Sequence, residues 1–414
     1  MTEPAATVPP ASGASSLKGA RGRRVMISCG EASGDLYAGA LVRAMRAIDP
    51  DVTAFGFGGQ QFEAAGGRLV GDYRGFSVTG LVEALRVLPQ SWRMLRTLRR
   101  AAAEERPDVF VAIDFPDFNF RLLPAMRELG IPVVYYVSPQ LWAWRSGRLQ
   151  TIKRYVDRML VIFPFEAPLY ENAGVPVDFV GHPLVDLAVP ARPRPVVASA
   201  LGLDPDKPIV ALLPGSRPNE LREILPVLAD AAVLIARQQP DVQFLIARAP
   251  ALADDLFAPV ERMRAAGLRH AVLAGATDDV LAASDVVVTA SGTATIQAAL
   301  HGRPMVIVYR LSPLTFAIGR AFVRVHTYGM VNLVAGRPVV PELIQEQFTA
   351  ETVAKETMAL LTDAARVAEM RAGLADVRAR LGAPGASARA AAAVLGSDLG
   401  VRPRGLTPRS DPRV

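Results

Sequence analysis

The feature that most constrains this chain is an alternation that runs almost from end to end: a short β-branched or aliphatic run, a turn, then a helical stretch. Val25–Cys29, Val52–Phe57, Asp108–Ile113, Val133–Val137, Met159–Phe163 and Val177–Val180 are such runs in the first half. Ile209–Leu213, Val242–Ala247, His270–Ala274, Val286–Ala290 and Met305–Tyr309 are their counterparts in the second. Runs this short, apolar throughout and closed by turn residues, read as strands buried on both faces of a parallel sheet. Strands separated by helices return by crossovers, so the fold class is α/β.

The pattern stops once. Val189–Pro208 is proline-rich with no apolar period, and the alternation restarts at Ile209. The expected architecture is two Rossmann-like, doubly wound domains facing a cleft. Residues 21–188 form the first domain, 189–208 the linker and 209–395 the second domain with terminal helices, flanked by disordered tails at 1–20 and 396–414. A length of 414 residues suits about two domains. Half of the residues are hydrophobic, enough for a large core.

Charge and cysteine narrow the setting. The net charge of +6 points to an anionic partner: nucleic acid, a phosphorylated substrate or an anionic lipid surface. A single cysteine, Cys29, allows no internal disulfide and fits a reducing compartment. Histidines and cysteine lie in no clustered spacing, so no structural metal site is expected. No run of about 18 apolar residues occurs that would span a membrane.

Five strand ends carry unusual chemistry. Gly30-Glu-Ala-Ser-Gly-Asp35 follows the first strand, and a glycine-bearing turn there brings backbone close to a phosphate or sugar. Gly30, Ser33 and Gly34 are its candidate binding residues; a tight turn is the plainer reading. Asp114 and Asp117 stand just past the strand ending at Ile113, and Ser138, Trp142, Trp144 and Arg145 just past the next. In open α/β sheets, ligands sit outside the carboxyl ends of strands. In the second half, Pro214-Gly215-Ser216-Arg217 and Ser291-Gly292-Thr293-Ala-Thr295 each join a strand to a helix. Two anion seats at strand ends of one domain suggest a nucleotide-diphosphate pocket.

One helix candidate is both basic and amphipathic. Leu81–Ala101 carries Leu85, Leu88, Trp92, Leu95 and Leu98 at helical spacing, ringed by arginines that include Arg96 and Arg99, with Pro89 expected to kink or divide it. It could lie on an anionic membrane surface or pack its leucines on a sheet. The arginines interleave with leucine rather than with exposed aromatics, which counts against nucleic acid. A dinucleotide-dependent oxidoreductase lacks its GxGxxG.

The segments Gly30–Asp35, Ile113-Asp-Phe-Pro-Asp-Phe-Asn119, Tyr136-Val-Ser-Pro-Gln-Leu-Trp-Ala-Trp144, Phe163-Pro-Phe-Glu166, Val180-Gly-His-Pro183, Leu213–Arg217, Ser291–Thr295, Tyr309-Arg310 and Asn332–Gly336 together resemble the lipid-A-disaccharide synthase family, glycosyltransferases of the GT-B architecture. The resemblance covers roughly Val25 to Gln347. It implies inverting transfer of a sugar from UDP-2,3-diacylglucosamine to 2,3-diacylglucosamine 1-phosphate, giving a β-1,6-linked disaccharide 1-phosphate and UDP. The setting would be the cytoplasmic face of the inner membrane, without cofactor or metal. A UDP-N-acetylglucosamine epimerase, or another UDP-sugar enzyme of this fold, is the alternative. The resemblance assigns the base to Asp114 or Asp117, with Asp117 narrowly preferred. Arg217 would neutralise the leaving UDP. Gly215, Ser216, Ser291, Gly292, Thr293, Gln297, Tyr309 and Asn332 would contact the donor, Ser138 and Trp144 would line the acceptor side, and Leu85–Arg99 would touch the membrane. At position 297 the family usually carries Glu, where this chain has Gln297.

Overall fold

The computed structural model describes residues 22–75, 81–139, 141, 147–250, 252–310 and 329–396, with only the backbone described at 81–88. Trp144, the side chains of Leu85 and Leu88, and both tails therefore lie outside what is described.

The alternation folds into two all-parallel sheets. The first contains β1 (Arg24–Cys29), β2 (Thr53–Gly58), β3 (Arg68–Asp72), β4 (Val109–Ile113), β5 (Val133–Tyr136), β6 (Arg158–Val161) and β7 (Val177–Phe179), in the order β3-β2-β1-β4-β5-β6-β7. The second contains β8 (Ile209–Leu213), β9 (Gln243–Arg248), β10 (His270–Ala274), β11 (Val286–Ala290), β12 (Met305–Tyr309) and β13 (Glu342–Ile344), in the order β10-β9-β8-β11-β12-β13. Central strands such as β4, β8 and β11 are buried along their whole length, which is why they lack an apolar–polar alternation. β3 and β13, which the sequence reading did not anticipate, are short edge strands whose residues are mostly only half-buried.

In each sheet the chain winds outward and then returns beside its first strand. The reversal falls between β1 and β4 in the first sheet and between β8 and β11 in the second. Such switch points leave a crevice at the strand ends, where the loops diverge. The helices that open there are α1 (Ala32–Ile48) after β1, α4 (Pro116–Glu128) after β4, α9 (Pro218–Gln238) after β8 and α12 (Thr293–Leu300) after β11.

The expected boundaries need two adjustments. The stretch read as a linker is docked, not free. The buried Asp279 carboxylate accepts from the Ala191 and Arg192 N–H groups (2.7 and 3.0 Å) and from Arg192 Nε (2.8 Å). Arg194 pairs with Asp285, so the chain joins the second domain at about Ala191. The helix Ala386–Leu395, placed in the second domain by its position in sequence, returns to the first and packs on α1 through Ala386, Ala390, Ala391 and Val394.

The basic segment forms one helix, α3 (Leu81–Glu105), with Pro89 inside it. Leu95 and Leu98, expected against a membrane, are 7% and 0% exposed and sit in the core with Phe110, Leu122 and Met126. This corrects the membrane assignment for those two. Their spacing places them on the inward stripe of a helix packed on β3 and α4. Trp92 is 54% exposed, Arg96 and Arg99 point outward, and Arg99 is paired with Glu128.

Candidate active site

The strongest local anomaly lies at the end of β4. Asp114 and Phe115 both have left-handed backbone, with φ of 45° and 49°. For residues with a side chain this costs on the order of 1–2 kcal/mol each. It persists because the surroundings fix it. Asp114 N–H donates to Tyr136 O (3.0 Å), while Asp114 O accepts from Asn119 Nδ2 (2.8 Å) and Tyr135 Oη (2.8 Å). Asn119 is itself held by Ser28 Oγ at 2.6 Å. Strain maintained this way concentrates at functional sites.

The turn also needs Gly30. A Cβ there would lie 2.2 Å from the Phe115 ring, so only glycine lets β1 pass this close. Phe115 stacks with Phe57 and Phe118 at centroid distances of 6.4 and 5.2 Å. Gly34 brings α1 to within close contact of Cys29, and Ser33 is half-buried in the first turn of α1. The glycines of this motif serve the approach of β1–α1 to β4–α4.

Electrostatics separate the two aspartates. Burial pushes the Asp114 carboxyl up to about 7; Glu31 pushes the same way, while the Phe115 N–H and Arg217 oppose it. Asp114 therefore feels Glu31 from the neighbouring loop of its own domain and Arg217 from the other side of the cleft. Asp117 points outward from the first turn of α4, its side chain 76% exposed and ion-paired with Arg148. A group poised near neutrality inside the crevice suits proton transfer better than an exposed carboxylate already held by a cation.

Arg217 bridges the two domains. Its Nη2 lies 2.8 Å from both carboxylate oxygens of Glu31, and its Nη1 is 3.2 Å from Glu220 Oε1. Burial lowers the affinity of its guanidinium for a proton, but Glu31 and Glu220 outweigh this and raise it. The amides of this first anion seat are taken: Ser216 and Arg217 N–H donate to Glu220 Oε2 at 2.9 and 3.2 Å. Gly215 has φ of 117°, and a Cβ there would strike Glu220 at 2.3 Å. Glu220 is three residues after Arg217, the spacing of a carboxylate that caps its own helix, and that signal was present in the sequence.

The second seat is open. Gly292 precedes α12 with no side-chain cap, Ser291 is half-buried, and Gly292 and Thr293 are exposed at the helix N-terminus. That end carries unsatisfied N–H groups and the positive end of the helix dipole. Tyr309, at the end of β12, is near enough to feel both Glu220 and Arg217.

Two expected contacts serve the scaffold instead. Asn332 is 4% exposed; its Nδ2 donates to Val340 O and Glu342 Oε1, and its Oδ1 accepts from Val339 and Val340 N–H. An amide so engaged has no group left for a ligand. Ser138 is buried, 2.6 Å from Tyr170 Oη, and bonded also to Glu166, whose carboxyl burial pushes up to about 8. These groups hold the loop after β5 from beneath. Among the described residues no group of acidic, histidine and cysteine side chains has metal-site geometry.

Known proteins share both the sequence pattern and the fold. A family model described as lipid-A-disaccharide synthetase matches residues 25–395. The chain is 45% identical over 373 residues to a lipid-A-disaccharide synthase of Geobacter metallireducens, covering 90% of this chain and 97% of that protein. It is 45% identical over 376 residues to one of Myxococcus xanthus, with the same coverages of 90% and 97%. Among solved structures, a UDP-GlcNAc 2-epimerase from Neisseria meningitidis bound to UDP-GlcNAc superposes with a TM-score of 0.65 at 11% identity, covering 90% of this chain and 99% of that one. A calicheamicin glycosyltransferase gives 0.57 at 18% identity, covering 92% and 100%. At such identities the structural likeness establishes the fold, two Rossmann-like domains of the GT-B kind.

Proposed function

The chain belongs to the lipid-A-disaccharide synthase family of glycosyltransferases, and from that premise we propose a specific reaction and a base. The donor is UDP-2,3-diacylglucosamine and the acceptor 2,3-diacylglucosamine 1-phosphate. The acceptor 6-hydroxyl attacks the anomeric carbon, its proton passes to Asp114, the bond from that carbon to the UDP oxygen breaks, and the β-1,6-linked disaccharide 1-phosphate forms with inversion.

The observation that carries this reading is Asp114: a strained, fully braced residue at the switch point whose carboxyl is pushed to about 7 opposite Arg217. In single-displacement inversion one base suffices, and the remaining need is charge stabilisation at the departing diphosphate. Arg217 and the uncapped start of α12 supply positive charge for it. Ser216, Ser291, Thr293 and Tyr309 are the contacts proposed for the donor there. Asp117 is assigned to positioning through Arg148, which reverses the narrow preference for it in the sequence analysis.

Both substrates carry acyl chains, so the enzyme would work at an anionic membrane surface, on the cytoplasmic side of the inner membrane. No helix among the described residues is long and apolar enough to cross a membrane. The contact proposed is the outward face of α3: Trp92, with the Arg121 guanidinium 5.5 Å from its ring centroid, and Arg93 and Arg96 beside it.

The deciding assay is UDP release from UDP-2,3-diacylglucosamine with and without the acylated sugar 1-phosphate. Acceptor-dependent release with a disaccharide product is expected. Turnover of an unacylated UDP-sugar without acceptor would instead support an epimerase-like reaction.

A further inference from the structure

Beside the donor seat, Asp278 and His301 form a polar cluster with Gln297 that the reaction just described does not use. Thr293, Gln297 and His301 follow one another at four-residue spacing, on one face of α12 and its C-terminal cap. Gln297 is half-buried, one turn of about 5.4 Å below the open helix N-terminus. Its Nε2 lies 3.2 and 3.3 Å from the two carboxylate oxygens of Asp278, in the first turn of α11 (Thr277–Ala283). His301 Nε2 stands 2.9 Å from Asp278 Oδ1. The Asp278 side chain is 23% exposed and that of His301 8%.

The chemistry of the three groups fixes their polarity. A carboxylate only accepts, so Asp278 draws the NH2 of Gln297 and the N–H of His301 toward itself. With its NH2 held there, Gln297 has only its carbonyl oxygen to offer elsewhere, and the amide cannot flip without placing oxygen against oxygen. A glutamate at 297 would put two carboxylates within hydrogen-bond distance, each disfavouring the charge of the other.

We infer that Asp278, seated by His301, is a specificity-determining positioning residue: it locks Gln297 as a one-way acceptor for the ribose hydroxyls of the donor nucleotide. The inference rests on the reading of the α12 N-terminus as the diphosphate seat, since the ribose then falls about one helical turn away. The pairing also accounts for an amide at this position. Gln297 with Asp278 places the charge one residue back from the sugar and leaves the accepting oxygen neutral.

The test is calorimetric binding of UDP, 2′-deoxy-UDP and 3′-deoxy-UDP to the full chain. Wild type should prefer UDP over at least one deoxy analogue by roughly tenfold, the worth of one well-placed hydrogen bond. Asp278→Asn should reduce that ratio to near one, because an asparagine can present its own NH2 and release the Gln297 amide. Gln297→Glu should weaken UDP roughly tenfold, and Asp278→Asn should rescue it in the double variant. A ratio that survives in Asp278→Asn, or a Gln297→Glu variant that binds UDP as tightly as wild type, overturns the inference. If Asp278→Asn does not fold, the Gln297→Glu result decides alone. Wild type that binds UDP without discriminating the deoxy analogues also refutes it while sparing the glycosyltransferase reading. Wild type that binds no UDP overturns both.

Discussion

Asp114 combines two demands that oppose each other. Its carboxyl is pushed to about 7 by burial, so ionising it in the folded protein is unfavourable, yet a base must ionise. The unfolded chain loses this proton near 4 and the folded one near 7, so stability falls as pH rises through that window. Asp114→Asn removes the penalty. It should melt higher than wild type at pH 8 and level with it near pH 4, while kcat falls about 10²- to 10⁴-fold. A loss of activity with a parallel loss of stability would instead mark Asp114 as scaffold. In wild type, kcat/KM should rise with pH through about 7. Glu31→Gln, by removing a negative neighbour and freeing Arg217, should move that limb to lower pH. An unmoved limb would mean that Glu31 does not act on the base. The motif containing Asp114 and Asp117 was legible in the sequence, but the division of labour was not. Both stand within a turn of one strand end, and only the left-handed backbone turns one inward and the other out. Asn332 and Ser138 misled for a related reason. A polar residue in a matching segment looks the same whether it faces a ligand or closes a buried network.

At the scale of elements, α3 shows what periodicity can and cannot resolve. A stripe of leucines ringed by arginines describes equally a helix lying on lipid and one lying on a sheet. The structure divides the two roles by side: Leu95 and Leu98 face the core and Trp92 faces out. Leu98→Ala should therefore cost roughly 2–5 kcal/mol in urea unfolding, as for other fully buried leucines. Trp92→Ala should leave stability within about 1 kcal/mol, as at other exposed sites, and reduce sedimentation with anionic vesicles severalfold. Equal vesicle binding by Trp92→Ala would remove the outward face of α3 as the contact. The strands were readable because burial on both faces removes every polar residue from them. β3 and β13 were not, because an edge strand has one protected side at most and its sequence resembles a loop. The helix Ala386–Leu395 was legible as a helix, but nothing in an alanine-rich amphipathic segment states which domain it covers.

At the scale of the whole molecule, connections among the described residues join the halves, and three of them differ greatly in strength. The Glu31–Arg217 pair spans the cleft, but both side chains are nearly half exposed, and such a pair contributes about 0–1 kcal/mol. It can yield Arg217 to a diphosphate at little cost. The chain crossing near Ala191 is pinned by Asp279, and a few residues on Arg194 pairs with Asp285. The returning helix is of another kind. Its start is capped by Asp186, which accepts from Gly385 and Ala386 N–H at 2.8 and 3.2 Å, and Arg389 donates to Val180 O at 2.8 Å. Just before it, Leu381 O accepts from the N–H of the buried His182, on the first domain. Ala386, Ala390, Ala391 and Val394 then close the apolar face of α1. Two domains coupled through one packed helix should unfold together, and lose that cooperativity without it. Removal of residues 384–414 should lower the unfolding midpoint of the first domain and split one transition into two. Glu31→Gln should leave a single transition close to that of wild type. Were Glu31→Gln to split the transition and the truncation not, the cleft would be held by its ion pair, and Arg217 would no longer be free to exchange a carboxylate for the donor's diphosphate.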